Sequence, residues 1–207
     1  MAKDDIWHVG YAVFGNHSRP RTERTIRNSV THPLQIGTIP VGESGARLGI
    51  TFCPGKVDDT SAGGAWERDL QADVAVIRDW GASSVLTLLE AHEFDLLSVK
   101  GLPEAVRDAG LAWHYAPIPD VSVPGPAFDA AWRTIGPRIL EQFHQGGSVV
   151  VHCRGGLGRA GIIAAKLMVM MGADPKQAIE QVRAARPGAI ETPAQEAYVL
   201  QQGLLNV

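Results

Sequence analysis

Val149-Val150-Val151-His152-Cys153-Arg154-Gly155-Gly156-Leu157-Gly158-Arg159-Ala160-Gly161 joins an apolar valine run to an apolar helical run through three glycines, one cysteine and two arginines. A short β-branched run flanked by turn residues reads as a buried strand, and the run after it as a buried helix. Between them, the five residues separating Cys153 from Arg159 are enough to curl the backbone around a small dianion with successive N–H groups pointing inward. Gly155, Gly156 and Gly158 allow the strained dihedrals and the close backbone approach that such a curl needs. A helix opening at about residue 160 adds its unpaired amides and positive dipole end to the field on the anion. Arg159 can hold two equatorial oxygens of a phosphoryl group with its planar guanidinium, which a lysine would do only as a point charge. The same donors favour the thiolate of Cys153, the nucleophilic form of the side chain.

Working outward, apolar strand-like segments alternate with helical ones. Residues 35–39 and 47–52 read as a hairpin turning through Gly42 and Gly45, and residues 84–89, 112–116 and 148–152 as further strands. Helical spacing predicts helices near 66–80, 91–97, 103–109, 127–144, 160–171, 175–185 and 193–204. The segment 60–64 reads as a flexible loop. Helices between strands imply right-handed crossovers and parallel neighbours. The expected fold is α/β: a three-layer αβα domain with a central, mainly parallel sheet of four to five strands flanked by helices. Ligands in such sheets bind at the carboxyl ends of the strands, which would gather Cys153, Asp120 and Glu90 on one edge. Glu90 there either orients Arg159 through a salt bridge or caps the helix that follows.

Composition bounds the function classes. The 207 residues, 45% hydrophobic and 20% charged, suit one compact domain. We expect a single domain over 1–207, with 1–44 an N-terminal extension and 45–205 the core. A net charge of −3 argues against nucleic-acid binding across the whole surface. No apolar run has the length of a membrane span and the first residues lack a signal-peptide core, so a cytoplasmic protein without membrane partners is expected. Two cysteines do not make a disulfide framework; Cys53 reads as a buried thiol at a strand end, with a resolving partner for oxidised Cys153 as the alternative. The arginines at 19, 21, 24 and 27 read as a solvated face, and the methionines of 160–171 as core.

The run His152-Cys153-Arg154-Gly155-Gly156-Leu157-Gly158-Arg159 resembles the signature of the Cys-x5-Arg protein tyrosine and dual-specificity phosphatases. Within that superfamily it is similar to the cyclin-dependent kinase inhibitor 3 type, because Gly188-Ala189-Ile190, Thr192 and Gln195 recur downstream at the same spacing, with Phe52-Cys53-Pro54-Gly55-Lys56 and Pro117-Ile118-Pro119-Asp120 in the right order. The resemblance covers about 45–205. It implies a phosphatase that works without metal or cofactor, with Cys153 as nucleophile, Arg159 as phosphate ligand and Asp120 as general acid. Asp129 is the competing acid, but it falls in the first turn of the 127–144 helix and reads as a dipole partner. His152, Arg154, Gly155, Gly156, Leu157, Gly158 and Ala160 would line the substrate phosphate, His152 by fixing the loop, and Arg154 reads equally as a rim charge or a surface residue.

The family's water-positioning glutamines correspond to Gln195 and to position 191, where this chain carries Glu191. That carboxylate either points away from the phosphate or acts on water as a base. Ala160 replaces the Ser or Thr hydroxyl that faces the sulfur in most members. The implied substrates are phosphorylated proteins, phosphotyrosine and also phosphoserine or phosphothreonine, or small phosphomonoesters; phosphate, vanadate and sulfate would occupy the loop as inhibitors. Phosphoinositides are disfavoured by apolar Leu157. A phosphopeptide-binding pseudophosphatase and a cysteine-loop sulfurtransferase or arsenate reductase are the competing readings.

Overall fold

The computed structural model describes residues 26–61 and 64–202. Its elements are β1 (Gly37–Val41), β2 (Ala46–Phe52), β3 (Val57–Asp58), β4 (Trp66–Glu67), α1 (Leu70–Asp79), β5 (Ala82–Thr87), α2 (Ala91–Leu96), α3 (Leu102–Asp108), β6 (Ala112–Tyr115), α4 (Pro126–His144), β7 (Ser148–Cys153), α5 (Gly158–Met170), α6 (Pro175–Ala185) and α7 (Pro193–Gln202). Five strands form the central sheet in the order β1-β2-β7-β5-β6, and a separate ribbon pairs β3 with β4. The β1–β2 pair is an antiparallel hairpin, turned by Gly42 and Gly45 at φ of 59° and 82°. The β2–β7, β5–β7 and β5–β6 pairs are parallel, so the expected mainly parallel α/β sheet is present.

Two apolar layers sandwich the sheet. On one face Leu48, Ile50, Val149 and Val151 pack with α4, α5, α6 and α7 through residues such as Phe128, Ile163 and Val182. On the other, Val85 and Val150 pack with α1, α2 and α3 through Val74, Ile77, Leu97 and Val106. The triple valine of β7 serves both, because successive strand residues face opposite sides. Helix α5 is buried over nearly its whole length, which explains why its sequence is apolar all round.

Three boundaries differ from expectation. The helix expected from residue 66 begins at Leu70, because Trp66 and Glu67 pair with Asp58 and Val57 and Asp69 Oδ1 caps the helix by accepting from the Ala72 N–H at 2.8 Å. The helix after the cysteine loop opens at Gly158 rather than near Ala160, so Gly158 and Arg159 belong to its first turn. Residues 37–44 of the expected extension form β1 and its turn, and Leu34 is buried in the core. Arg27 is no solvated charge: its guanidinium lies 3.9 Å from the centre of the Trp66 ring. The arginines at 19, 21 and 24, the glycine-rich tip at 62–63 and the helix residues expected at 203–204 lie outside the described residues.

Candidate active site

Strand β7 ends at Cys153, and its loop turns at Gly156, where φ is +68°. A Cβ on Gly156 would lie 2.4 Å from the Thr51 carbonyl, so only glycine allows the loop to cross this close to β2. The turn brings the Gly156 N–H to 3.2 Å from Cys153 Sγ. Outside the loop, Arg186 donates to the Gly155 and Gly156 carbonyls, each at 3.2 Å, holding those oxygens turned toward it. His152 is fully buried, with Nε2 at 2.8 Å from Thr87 Oγ1, which also accepts from Trp113 Nε1 at 2.9 Å. Burial pushes the imidazole pKa down to about 4, so the ring is neutral at pH 7 and serves as a strut between β7 and β5.

The Arg159 side chain is 1% exposed and held on several sides. Its two terminal nitrogens donate to the Glu93 carboxylate at 2.5 and 2.9 Å, and Nη1 also donates to the Ile118 carbonyl at 3.2 Å. Burial works to raise the Glu93 carboxyl, but hydrogen bonds from Arg159 and the Glu90 N–H, with the Arg159 charge, outweigh it and hold Glu93 below the usual carboxylate range. Glu90, the residue on which a salt bridge to Arg159 was one expectation, instead stands at the N-cap of α2 and accepts from the Asp120 N–H at 3.3 Å. The arginine partner is one helical turn further on. Its signal in the sequence was a second carboxylate at the third position of a helix that follows a buried strand.

Asp120 lies on the irregular segment after β6, with its side chain half exposed and its Oδ1 at 2.8 Å from Arg159 Nη2. Val121, next to it, has φ of +58°, a conformation costly for a β-branched residue. Asp129 sits in the first turn of α4, as expected of a dipole partner. From the opposite side, buried Gln195 accepts from the Glu191 N–H at 2.9 Å and donates to the Ser122 carbonyl at 3.3 Å, joining the loop before α7 to the Asp120 segment. Both late side chains cover the first turn of α5: a Cβ on Gly158 would meet Glu191 Oε2 at 2.4 Å and Gln195 Nε2 at 2.7 Å. Glu191 therefore lies toward the cleft. Ala160 is fully buried beneath the loop.

These parts enclose a cleft of about 270 Å³ whose lining includes Cys153, Arg159, Asp120, Leu157 and Glu191. One wall comes from the segment after β2, which the sequence reading did not recruit as a site. There Asp58 accepts from Arg154 Nε and Nη2 at 3.1 and 3.0 Å, and Thr60 Oγ1 accepts from Arg154 Nη2 at 2.9 Å. Arg154 is thus a rim charge whose countercharge is already in place. Lys56 lines the same wall. Cys53 is fully buried beside this wall, and burial pushes its thiol pKa far up, which favours the inert reading over a resolving role.

Residues 117–199 match the family model described as "Swiss Army Knife protein, DSP-PTPase phosphatase domain". The chain is 28% identical over 173 residues to rat cyclin-dependent kinase inhibitor 3, covering 81% of this chain and 77% of that one. The human protein of that name matches at 28% over 156 residues, covering 73% and 69% respectively. Among solved structures, kinase-associated phosphatase with its catalytic-site cysteine changed to serine superposes with a TM-score of 0.70 at 24% identity, covering 82% of this chain and 94% of that one. These matches make the chain similar to the Cys-x5-Arg protein tyrosine and dual-specificity phosphatase superfamily. Within it, the chain is similar to the cyclin-dependent kinase inhibitor 3, or kinase-associated phosphatase, type.

Proposed function

We propose that this protein hydrolyses phosphate monoesters on proteins, phosphotyrosine foremost and phosphoserine or phosphothreonine as well, through a phosphocysteine intermediate. The observation that carries this reading is the meeting of Cys153, Arg159 and Asp120 on one cleft, with Arg159 fixed by Glu93 and within reach of Asp120. Incoming phosphoryl oxygens replace the Asp120 carboxylate on Arg159 Nη2 and release Asp120 to the leaving-group side. The Cys153 thiolate attacks phosphorus in line, the P–O bond to the side-chain oxygen breaks, and Asp120 passes its proton to that oxygen. Arg159 and the loop amides hold the equatorial oxygens throughout. Water then attacks the phosphocysteine and loses its proton to Asp120, and the S–P bond breaks to return the thiolate. Gln195 and Glu191 position that water, and their contact with the first turn of α5 supports the role.

His152 and Arg186 hold the loop, and Arg154 with Leu157 walls the cleft; the bonds of His152 to Thr87 and of Arg186 to the loop carbonyls support these roles. The chain acts as one catalytic domain on phosphorylated proteins in the cytoplasm, with phosphate, vanadate and sulfate as competing anions. No helix among the described residues is long and apolar enough to cross a membrane.

The test is p-nitrophenyl phosphate turnover without added metal across pH 5 to 8. Vanadate-sensitive activity lost in Cys153→Ser and Arg159→Ala, with the alkaline fall of the profile flattened in Asp120→Ala, is the expected result. Tight phosphopeptide binding by a wild type that turns nothing over would make the protein a reader instead. Persulfide formation with thiosulfate would make it a sulfurtransferase.

A further inference from the structure

Lys56 is the charge on the cleft wall that the proposed chemistry does not use. The residue is 4% exposed, yet it lines the cleft that holds Cys153 and Arg159. Its ammonium lies 5.0 Å from the centre of the Phe52 ring and 5.1 Å from that of Trp66, two faces that attract a cation and fix where it points. Among the described residues its ammonium donates one hydrogen bond, to the Arg154 carbonyl at 3.4 Å. Among the described residues Lys56 makes no salt bridge, whereas its neighbours are matched: Arg154 by Asp58, and Arg159 by Glu93 and Asp120.

A buried ammonium with three donors and one weak acceptor is costly unless a ligand supplies the rest. The Arg154 carbonyl also accepts from the Cys53 N–H at 3.3 Å, so the ammonium lies beside that strand edge, one residue along the chain from the nucleophile. This position is flanking: an anion there sits next to the transferred phosphoryl group and not within the ring of loop amides.

We infer that Lys56 forms a second anion subsite beside the phosphate loop, which selects phosphoprotein segments carrying an acidic side chain, Asp, Glu or a second phosphorylated residue, next to the phosphoresidue being hydrolysed. The inference rests on the phosphatase reading above and narrows its substrate class. The pair of Asp58 with Arg154 sharpens it, because the Arg154 guanidinium already has its acceptors while the Lys56 ammonium keeps donors for an incoming anion. Burial lowers the Lys56 pKa to about 8, so the ammonium keeps its charge at pH 7 and loses it a little above.

The experiment compares phosphotyrosine peptides identical but for Glu or Gln immediately before or after the phosphoresidue, with doubly phosphorylated versions alongside. In the wild type at pH 7 the acidic peptide should have a kcat/KM higher by roughly fivefold, the scale of one part-exposed ion pair. The acidic-to-neutral ratio should fall to one in Lys56→Met and survive in Lys56→Arg. General damage to the fold lowers both peptides together and leaves the ratio unchanged. Should Lys56→Met fail to fold, the wild-type ratio between pH 6.5 and 9.5 decides the matter. It should decline as the pH passes about 8, where Lys56, facing Asp58, Cys53, Arg154 and Arg27, loses its proton.

A wild-type ratio of one, or a ratio that persists in Lys56→Met, overturns the inference. Faster turnover of phosphatidylinositol phosphates in vesicles than of any peptide overturns it in favour of a lipid substrate. Affinities of Cys153→Ser protein for the same peptides report on the subsite without turnover. An inactive wild type whose Cys153→Ser form still prefers the acidic peptide would refute the phosphatase reading and keep the subsite.

Discussion

Replacing Glu93 by Gln keeps the shape of the side chain that holds Arg159 and removes its charge. In the wild type the two side chains are 3% and 1% exposed and share two hydrogen bonds, so neither charge is solvated by water in compensation. Removing one member of such a pair leaves a buried charge short of its partner and costs about 3 kcal/mol, the lower end for buried pairs because the amide oxygen still accepts one bond. For a chain of this size that is a fall in melting midpoint of roughly 6–12 °C.

The effect depends on pH in a defined direction. The folded-state pKa of Glu93 lies below its ordinary value of 4.5, so the unfolded chain takes up the proton first as the solution is acidified. The stability Glu93 supplies is therefore fully present well above pH 4.5 and is lost as the pH falls through its folded value. Calorimetric or fluorescence-detected melting of wild type and Glu93→Gln from pH 7 down to pH 3.5 would show the gap closing at the acid end. Equal midpoints at pH 7, or a gap of constant size over that range, would refute the reading that the buried Arg159 charge depends on the Glu93 carboxylate.

Other substitutions test other parts of the site. Gly156→Ala should lose vanadate binding and at least ~3 kcal/mol of stability, since the new Cβ meets backbone of Thr51 and Phe52 that cannot swing aside, whereas Gly155→Ala, with nothing within 4 Å of its Cβ, should keep its melting midpoint. Ala160→Ser supplies the hydroxyl that most members of the resembled family carry at this position; stopped-flow kinetics should show a burst in the wild type and faster steady-state turnover in the serine variant, and a single linear phase in both would count against slow phosphocysteine hydrolysis. Val121→Gly removes a β-branched side chain from φ of +58° and should raise the melting midpoint, by up to ~1 kcal/mol in stability, while a lowered midpoint would mean that the Val121 contacts outweigh the strain.

The strand, glycine loop and helix around Cys153 were legible in the sequence because their determinants are local: β-branched residues for the strand, glycines where φ is positive or backbones nearly touch, an apolar run for the buried helix. Asp120 was singled out by the family resemblance, with its place in a proline-rich segment after a strand as local support. Pairings between distant segments were not. Trp66 and Glu67 looked like the start of a helix, and only pairing with Val57 and Asp58 makes them a strand. Glu90 and Glu93 lie within one turn of each other, and which of them reaches Arg159 depends on how α2 sits on the sheet, sixty-six positions away from that arginine in the chain. Arg154 was ambiguous because the carboxylate that neutralises it is ninety-six residues away and arrives only through the parallel pairing of β2 with β7. The sequence by itself determined the strand, the glycine loop after Cys153 and the α/β order of elements, because each follows from neighbours along the chain. The tertiary structure alone decided which charges around the cleft are paired and that Lys56, among the described residues, forms no salt bridge, because Coulomb interactions between side chains depend on distance through space.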